Sequence, residues 1–149
     1  MNTQELIRSA RSARTALAAA STETRNSALM FMADALKNHT EAILSANAED
    51  MESQKGRISA VMLDRLALSE DRIEGMADGI RQVAALPDPV GKVLASHRRL
   101  SGIEISKVLV PMGVIAIIYE SRPNVTSDAA ALAIKAGSAY VLKCGKEAH

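Results

Sequence analysis

The apolar periodicity of this chain changes once, at Pro87 and Pro89, and that change limits the folds open to it. Before the prolines, apolar residues recur every three to four positions, the mark of helices with one covered face. Ile73, Met76, Ala77, Ile80, Val83 and Ala84 form the clearest such stripe. Ser69 is placed to cap its helix, with Glu70 and Asp71 in the first turn. Upstream, Asn2 or Thr3 can cap a helix carrying Leu6, Ala10, Ala13 and Leu17, with Glu5 near its positive end. Ser21 or Thr22 opens a second helix, with Ala28, Met32, Ala35 and Leu36 on one side. Thr40 opens a third, with Ile43 and Leu44, ending near Gly56. A short helix is expected over 59–66. Met30, Met32, Met51, Met62 and Met76 fall on these stripes and read as core filler.

After Pro89 the pattern is that of strands. Residues 90–95 and 103–110 predict a half-exposed hairpin with a polar turn over 97–102. Val114–Ile118 is almost wholly apolar, as a strand covered on both faces would be. Ser127 and Asp128 are expected to open a helix over 127–136, which Gly137 ends. Ala139–Lys143 predicts a second buried strand. Strand, crossover helix, strand is a βαβ unit, which pairs its strands in parallel. The expected class is α/β: a helical layer over 1–86, a hairpin over 90–110, and the start of a parallel sheet over 111–149. Lys146, Glu147, Ala148 and His149 look like the opening of a further crossover helix. Two parallel strands with one helix leave an open edge, so the chain is expected to be the front part of a longer protein.

Composition removes several function classes. The 18 Lys+Arg against 17 Asp+Glu give a net charge of +1, too weak a field to hold nucleic acid or an anionic membrane. One Phe, two Tyr and no Trp provide no base-stacking platform. A single cysteine, Cys144, rules out an internal disulfide framework and fits a reducing compartment. Three scattered histidines (His39, His97 and His149) with that one cysteine make no structural zinc site. The longest apolar run, 108–119, contains Pro111 and is far shorter than the roughly 20 residues of a membrane span. Residues 1–20 are rich in Arg, Ser and Ala and superficially resemble a transit peptide. The helical stripe through Leu6 and Leu17 favours an ordinary amphipathic helix and a cytoplasmic protein.

Two strand ends carry the chemistry. The first is Glu-Ser-Arg-Pro-Asn-Val-Thr at 120–126, leaving a parallel strand at the edge where α/β sheets bind ligands. Arg122 can pair bidentately with a carboxylate or phosphate, and Asn124 can donate its amide to an oxyanion. Equally, Asn124 can cap a turn and Arg122 can be solvated surface. The second is Lys-Cys-Gly-Lys-Glu at 143–147, where a Gly-containing turn meets a helix start that attracts anions. Lys143 and Lys146 add charge suited to ribose or phosphate. It is neither a GxGxxG nor a Walker loop, and lysines after a strand are common. Cys144 has no histidine nearby in sequence and reads as a small half-buried residue rather than a nucleophile.

The run Val-Pro-Met-Gly-Val-Ile-Ala-Ile-Ile-Tyr-Glu-Ser-Arg-Pro-Asn-Val-Thr at 110–126 resembles the gamma-glutamyl phosphate reductase family, within the aldehyde dehydrogenase superfamily. So do Asp-Ala-Ala-Ala-Leu-Ala at 128–133, Lys-Ala-Gly at 135–137, Val-Leu-Lys at 141–143, Asp-Arg-Leu at 64–66 and Pro-Asp-Pro-Val-Gly at 87–91. The resemblance implies the first βαβ unit of an aldehyde-dehydrogenase-like cofactor-binding domain. It also implies NADPH-dependent reduction of L-glutamyl 5-phosphate to L-glutamate 5-semialdehyde, with release of phosphate, in proline biosynthesis. By that resemblance Asn124 matches an asparagine that helps hold a thioester oxyanion. Lys143 matches a lysine on the cofactor ribose, with Gly145, Lys146 and Glu147 following in the cofactor turn. Lys146 favours a 2′-phosphate, and Glu147 opposes one. Arg122 is the candidate for the substrate's carboxylate or phosphate. The family's nucleophilic cysteine is expected downstream, in a catalytic domain beyond these residues, so 1–149 alone are expected to be inactive. A homo-oligomer assembled through the hairpin and handover from a glutamate kinase are further expectations. The competing possibility is a non-catalytic nucleotide-binding or subunit-assembly module.

Overall fold

In a computed structural model, described for residues 2–120 and 122–146, five helices precede a hairpin and a small parallel sheet. The helices are α1 (Thr3–Ala19), α2 (Thr22–Asn38), α3 (Thr40–Gln54), α4 (Ala60–Leu66) and α5 (Glu70–Ala85). Then come β1 (Val93–Arg98), β2 (Glu104–Val108), β3 (Val114–Ile118), α6 (Pro123–Lys135) and β4 (Ala139–Lys143). The helix starts follow the local chemistry. Asn2 and Glu5 form a reciprocal capping box, and Ser21, Ser59 and Ser69 each accept a backbone N–H three residues on.

The core lies between α2, α5 and α6, where Leu29, Ala33, Ala77, Ile80, Ala84 and Ala131 are buried together. Four of these six are alanine, which lets the helix backbones approach closely. The α5 stripe is buried as its period predicts. That of α2 is rotated from the expected one. Its buried face runs through Arg25, Leu29 and Ala33, while Ala28 and Ala35 are exposed. Arg25 can stand on a core face because both terminal nitrogens of its head group are matched, while its buried Nε has no partner among the described residues. It donates to Ala20 O at 2.6 Å and is ion-paired with Asp88. Asp88 also accepts from the Thr22 hydroxyl and from Val90 N–H. These bonds tie the start of α2 to the turn that stops α5. Lys135, 4% exposed, donates to Asn26 Oδ1 and Ala84 O, both at 2.8 Å.

Several expectations are corrected. Half of the α1 stripe, Leu6 and Ala13, is exposed, Leu17 is half-buried, and only Ala10 is buried. Its main partner is β4, and a sheet of two strands is too narrow to cover a helix of five turns. Met30 is exposed and Met32, Met51 and Met62 half-buried, leaving Met76 as the buried one. The hairpin strands begin later than 90, and His97 lies in β1 opposite Ile105 instead of in the turn. Gly102, at φ +87°, supplies the turn's left-handed residue. Both strands are exposed throughout instead of half-exposed. β3 and β4 pair in parallel, Val114 with Ala139 through Ile118 with Lys143. Their faces are only partly covered, and Ile118 is 84% exposed, because among the described elements α6 and α1 are the main ones that pack on them. Gly137 ends α6 at φ +66°, and a Cβ there would lie 3.1 Å from Pro111 Cγ and 3.3 Å from Val90 Cγ2.

The Thr22 hydroxyl, desolvation notwithstanding, together with Val90 N–H and Arg25, holds the Asp88 carboxyl below its ordinary value of about 4. A depressed folded-state pKa stabilises above the unfolded value and is lost as pH falls through the folded one. Asp88→Asn is therefore expected to destabilise the protein by about 3 kcal/mol at neutral pH, by leaving Arg25 buried without a counter-charge. In urea titrations the difference from the unsubstituted protein should narrow as the pH drops below about 4.

Candidate functional site

Because β3 and β4 are parallel, their C-terminal ends leave the sheet on the same edge. Tyr119 N–H donates to Lys143 O at 3.1 Å, so the two loops start side by side. The loop after β3 is shorter than expected. α6 begins at Pro123, not near 127, with Arg122 as its N-cap. Proline is suited to the first helical position, since its fixed φ is helical and the missing N–H would have no partner there. Asn124 thus stands in the first turn of α6. Its Nδ2 donates to Asp128 Oδ2 at 3.3 Å, one turn along. A carboxylate only accepts, so Asp128 fixes which end of the amide faces it and leaves a second N–H available. Tyr119 Oη and Thr126 Oγ1, 2.5 Å apart, close the loop behind.

Arg122 and Asn124 come together in one polar cleft of about 460 Å³. Its opposite wall comes from α4 and the start of α5, and includes Asp64, Arg65 and Arg72. Sequence reasoning assigned no site role to these three or to Asp128. A polar Asp-Arg pair inside an otherwise apolar seven-residue helix was the available signal for α4. Arg72 is structural. It donates to Asp64 O at 2.5 Å and Ala67 O at 2.7 Å, and pairs with Asp64 Oδ1 at 3.1 Å, fastening α4 to α5. Asn47, buried, supports the same junction, donating to Leu66 O at 2.9 Å and accepting from Leu68 N–H at 2.8 Å.

The second strand end stays outside this cleft. Lys143 and Lys146 are exposed on either side of Cys144 and a half-buried Gly145, and Glu147 lies outside the described residues. Cys144 instead lines a more apolar cavity of about 740 Å³ with Leu142, Tyr119, Tyr140, Met32 and Leu36. Burial there raises the Tyr140 phenol above its ordinary pKa. Among the described residues no group of three His, Cys, Asp or Glu side chains is placed to hold a metal ion. No described helix is long and apolar enough to cross a membrane.

No family model matches the chain. Curated proteins and solved structures do. The chain is 56% identical, over 146 residues, to the gamma-glutamyl phosphate reductases of Streptococcus suis and Streptococcus pneumoniae. It is similar to part of gamma-glutamyl phosphate reductase. The match takes in 98% of this chain and 35% of each relative, so the chain spans about a third of their length. Among solved structures, gamma-glutamyl phosphate reductase from Thermotoga maritima superposes with a TM-score of 0.93 at 40% identity, over 97% of this chain and 35% of that one. The Saccharomyces cerevisiae gamma-glutamyl phosphate reductase gives 0.92 at 40% identity, over 99% and 38%. The helices, hairpin and parallel strand pair described above therefore share one arrangement with part of those reductases.

The bonding separates two of the cleft arginines. Arg72→Met, which releases the Asp64 carboxylate and two carbonyls, is expected to lower stability by about 1 kcal/mol. Arg65→Met should change it by less than about 0.5 kcal/mol, both read from denaturant midpoints.

Proposed function

We propose that this chain forms part of the cofactor-binding domain of an NADPH-dependent oxidoreductase that reduces L-glutamyl 5-phosphate to L-glutamate 5-semialdehyde, releasing phosphate, in proline biosynthesis. The main support is a juxtaposition. An oriented amide at Asn124 and a guanidinium at Arg122 share a cleft beside the edge where two lysines leave a parallel strand. The likeness to gamma-glutamyl phosphate reductases at 56% identity supports the substrate class.

The exposed donor set of Lys143 and Lys146 around Gly145 fits a phosphate-bearing nucleotide. In this proposal Lys143 holds the adenosine ribose and Lys146 faces the 2′-phosphate, with Gly145 between them and Glu147 next in sequence. Bound there, NADPH supplies the hydride that converts the acyl group to an aldehyde. Asn124 directs its second amide N–H at the acyl oxygen, where negative charge develops when the carbonyl carbon becomes tetrahedral. Asp128 keeps that amide from rotating. Arg122 binds an anionic part of the substrate. The attacking thiol is not assigned to Cys144, which faces the apolar cavity and does not line the cleft that holds Asn124.

A second reading, association with another copy of the chain through the hairpin, has its own observation. Every residue of β1 and β2 is exposed, apolar Leu94, Ile105 and Val108 among them. The proposal also includes handover of the labile acyl phosphate from a glutamate kinase, which coupled assays against free diffusion of the intermediate would test.

In the complete gene product, Lys143→Ala is expected to weaken NADPH binding about tenfold by fluorescence titration, a typical loss for one charged hydrogen bond. Unchanged binding removes Lys143 from the site. Asn124→Ala should lower kcat about a hundredfold or more while NADPH binding stays unchanged. Equal loss of both would mean that Asn124 supports the fold and not the reaction.

A further inference from the structure

The cleft holds charges that the described residues leave unmatched. Arg72 and Asp64 neutralise one another across the junction of α4 and α5. Asp128 is engaged, among the described residues, only with the neutral amide of Asn124. Among the described residues, Arg65 on one wall and Arg122 on the other have no ion-pair or side-chain hydrogen-bond partner. Two guanidiniums facing one small cavity repel each other unless an anion joins them. A planar carboxylate can take a fork of N–H donors from each. The remaining acid, Asp128, sits on the same wall as Asn124 and suits an ammonium.

We infer that this cleft is the recognition site for the α-amino-acid end of the substrate, with Arg65 and Arg122 clamping the α-carboxylate and Asp128 facing the α-ammonium. This rests on the reading of Asn124 as the oxyanion donor. It adds that Arg65, about sixty residues upstream of Asn124 and on a different element, is a specificity-determining residue. A ligand that places its acyl carbon at Asn124 extends its other end along the cleft towards α4. A volume of about 460 Å³ suits a small amino-acid derivative and is small for a dinucleotide. Arg72 shapes the wall but does not bind, because its donors are already used on Asp64 and Ala67. The competing assignment of Arg65, to the substrate's phosphoryl group, makes a different kinetic prediction.

The test runs the reaction backwards in the complete gene product, because glutamate semialdehyde, inorganic phosphate and NADP then have separate KM values. The comparison substrate is 4-aminobutanal, which lacks only the carboxylate. For Arg65→Met the expected result is a rise of about tenfold or more in KM for glutamate semialdehyde, with KM for phosphate and NADP unchanged. The preference for glutamate semialdehyde over 4-aminobutanal should fall by the same factor. Arg122→Met should behave alike, and Arg65→Lys should recover part of the preference. Retained NADP affinity shows that each variant is folded. An unchanged KM for the semialdehyde, or a rise in the KM for phosphate instead, overturns this inference while leaving the proposed reaction standing. No NADP-dependent turnover by the unsubstituted protein overturns both.

Discussion

Two positive charges buried at one end of the helical layer set the geometry of everything beyond them. Arg25 joins the start of α2 to Asp88, just past α5, and Lys135 joins the end of α6 to Asn26 of α2 and to the last turn of α5. Each charge is removed from water and compensated by carbonyls, an amide or a carboxylate, so that neither can shift without leaving a charge or a dipole unmatched. Between these pins and the cleft, the helices meet through alanines. Small side chains leave little room for rotation about a helix axis, and volume changes there are felt at once. The Lys135 bond and the cleft lining show α5 and α6 running in the same direction. Their pinned C-terminal ends lie together, and their N-terminal turns open together on the cleft. The polar groups that line the cleft are thus placed by a support at the far end of the helices that carry them.

That support was only partly legible in the sequence. The face of α5 was readable because its apolar residues keep a helical period for about three turns and nothing charged interrupts it. The face of α2 was misread because Arg25 occupies a core-facing position, and a charge there looks like solvent. Its counter-charge, Asp88, lies sixty-three positions away. The start of α6 was placed too late because Ser127 and Asp128 look like caps. Pro123 at the first helical position is an equally physical start signal and is the one used. The polar loop strand ends, with Arg122, Asn124 and the lysines, could be read directly because polar residues leaving an apolar strand stand out. Arg65 and Asp64 stand out only as a polar pair in an apolar helix, and nothing local says that this short helix early in the chain will face a loop after β3.

The two cavities divide the loop edge into regions of different chemistry. One is polar and holds the oriented amide. The other is mostly apolar, with Met32, Leu36, Ile80 and Leu142 in its lining beside Tyr119, Tyr140 and Cys144 and the polar His39, Asn47 and Asp50. Pro123 lines both, so the first residue of α6 forms part of the partition. In the proposed reaction, an acyl group at Asn124 would lie on the side with hydrogen-bond donors. The greasy side is left to packing.

The single hydrogen bond from Tyr119 to Lys143 fixes how far apart the two loops begin. Neighbouring strands sit roughly 4.8 Å apart whatever their side chains. The separation between whatever binds after β3 and whatever binds after β4 is therefore a property of backbone pairing. Side-chain substitutions can retune affinity on either loop, but they cannot move one loop toward the other. Changing that distance requires a shift of strand register, and a one-residue shift would turn every side chain of the moved strand to the opposite face. Evolution of such a site is free in its chemistry and constrained to discrete steps in its reach.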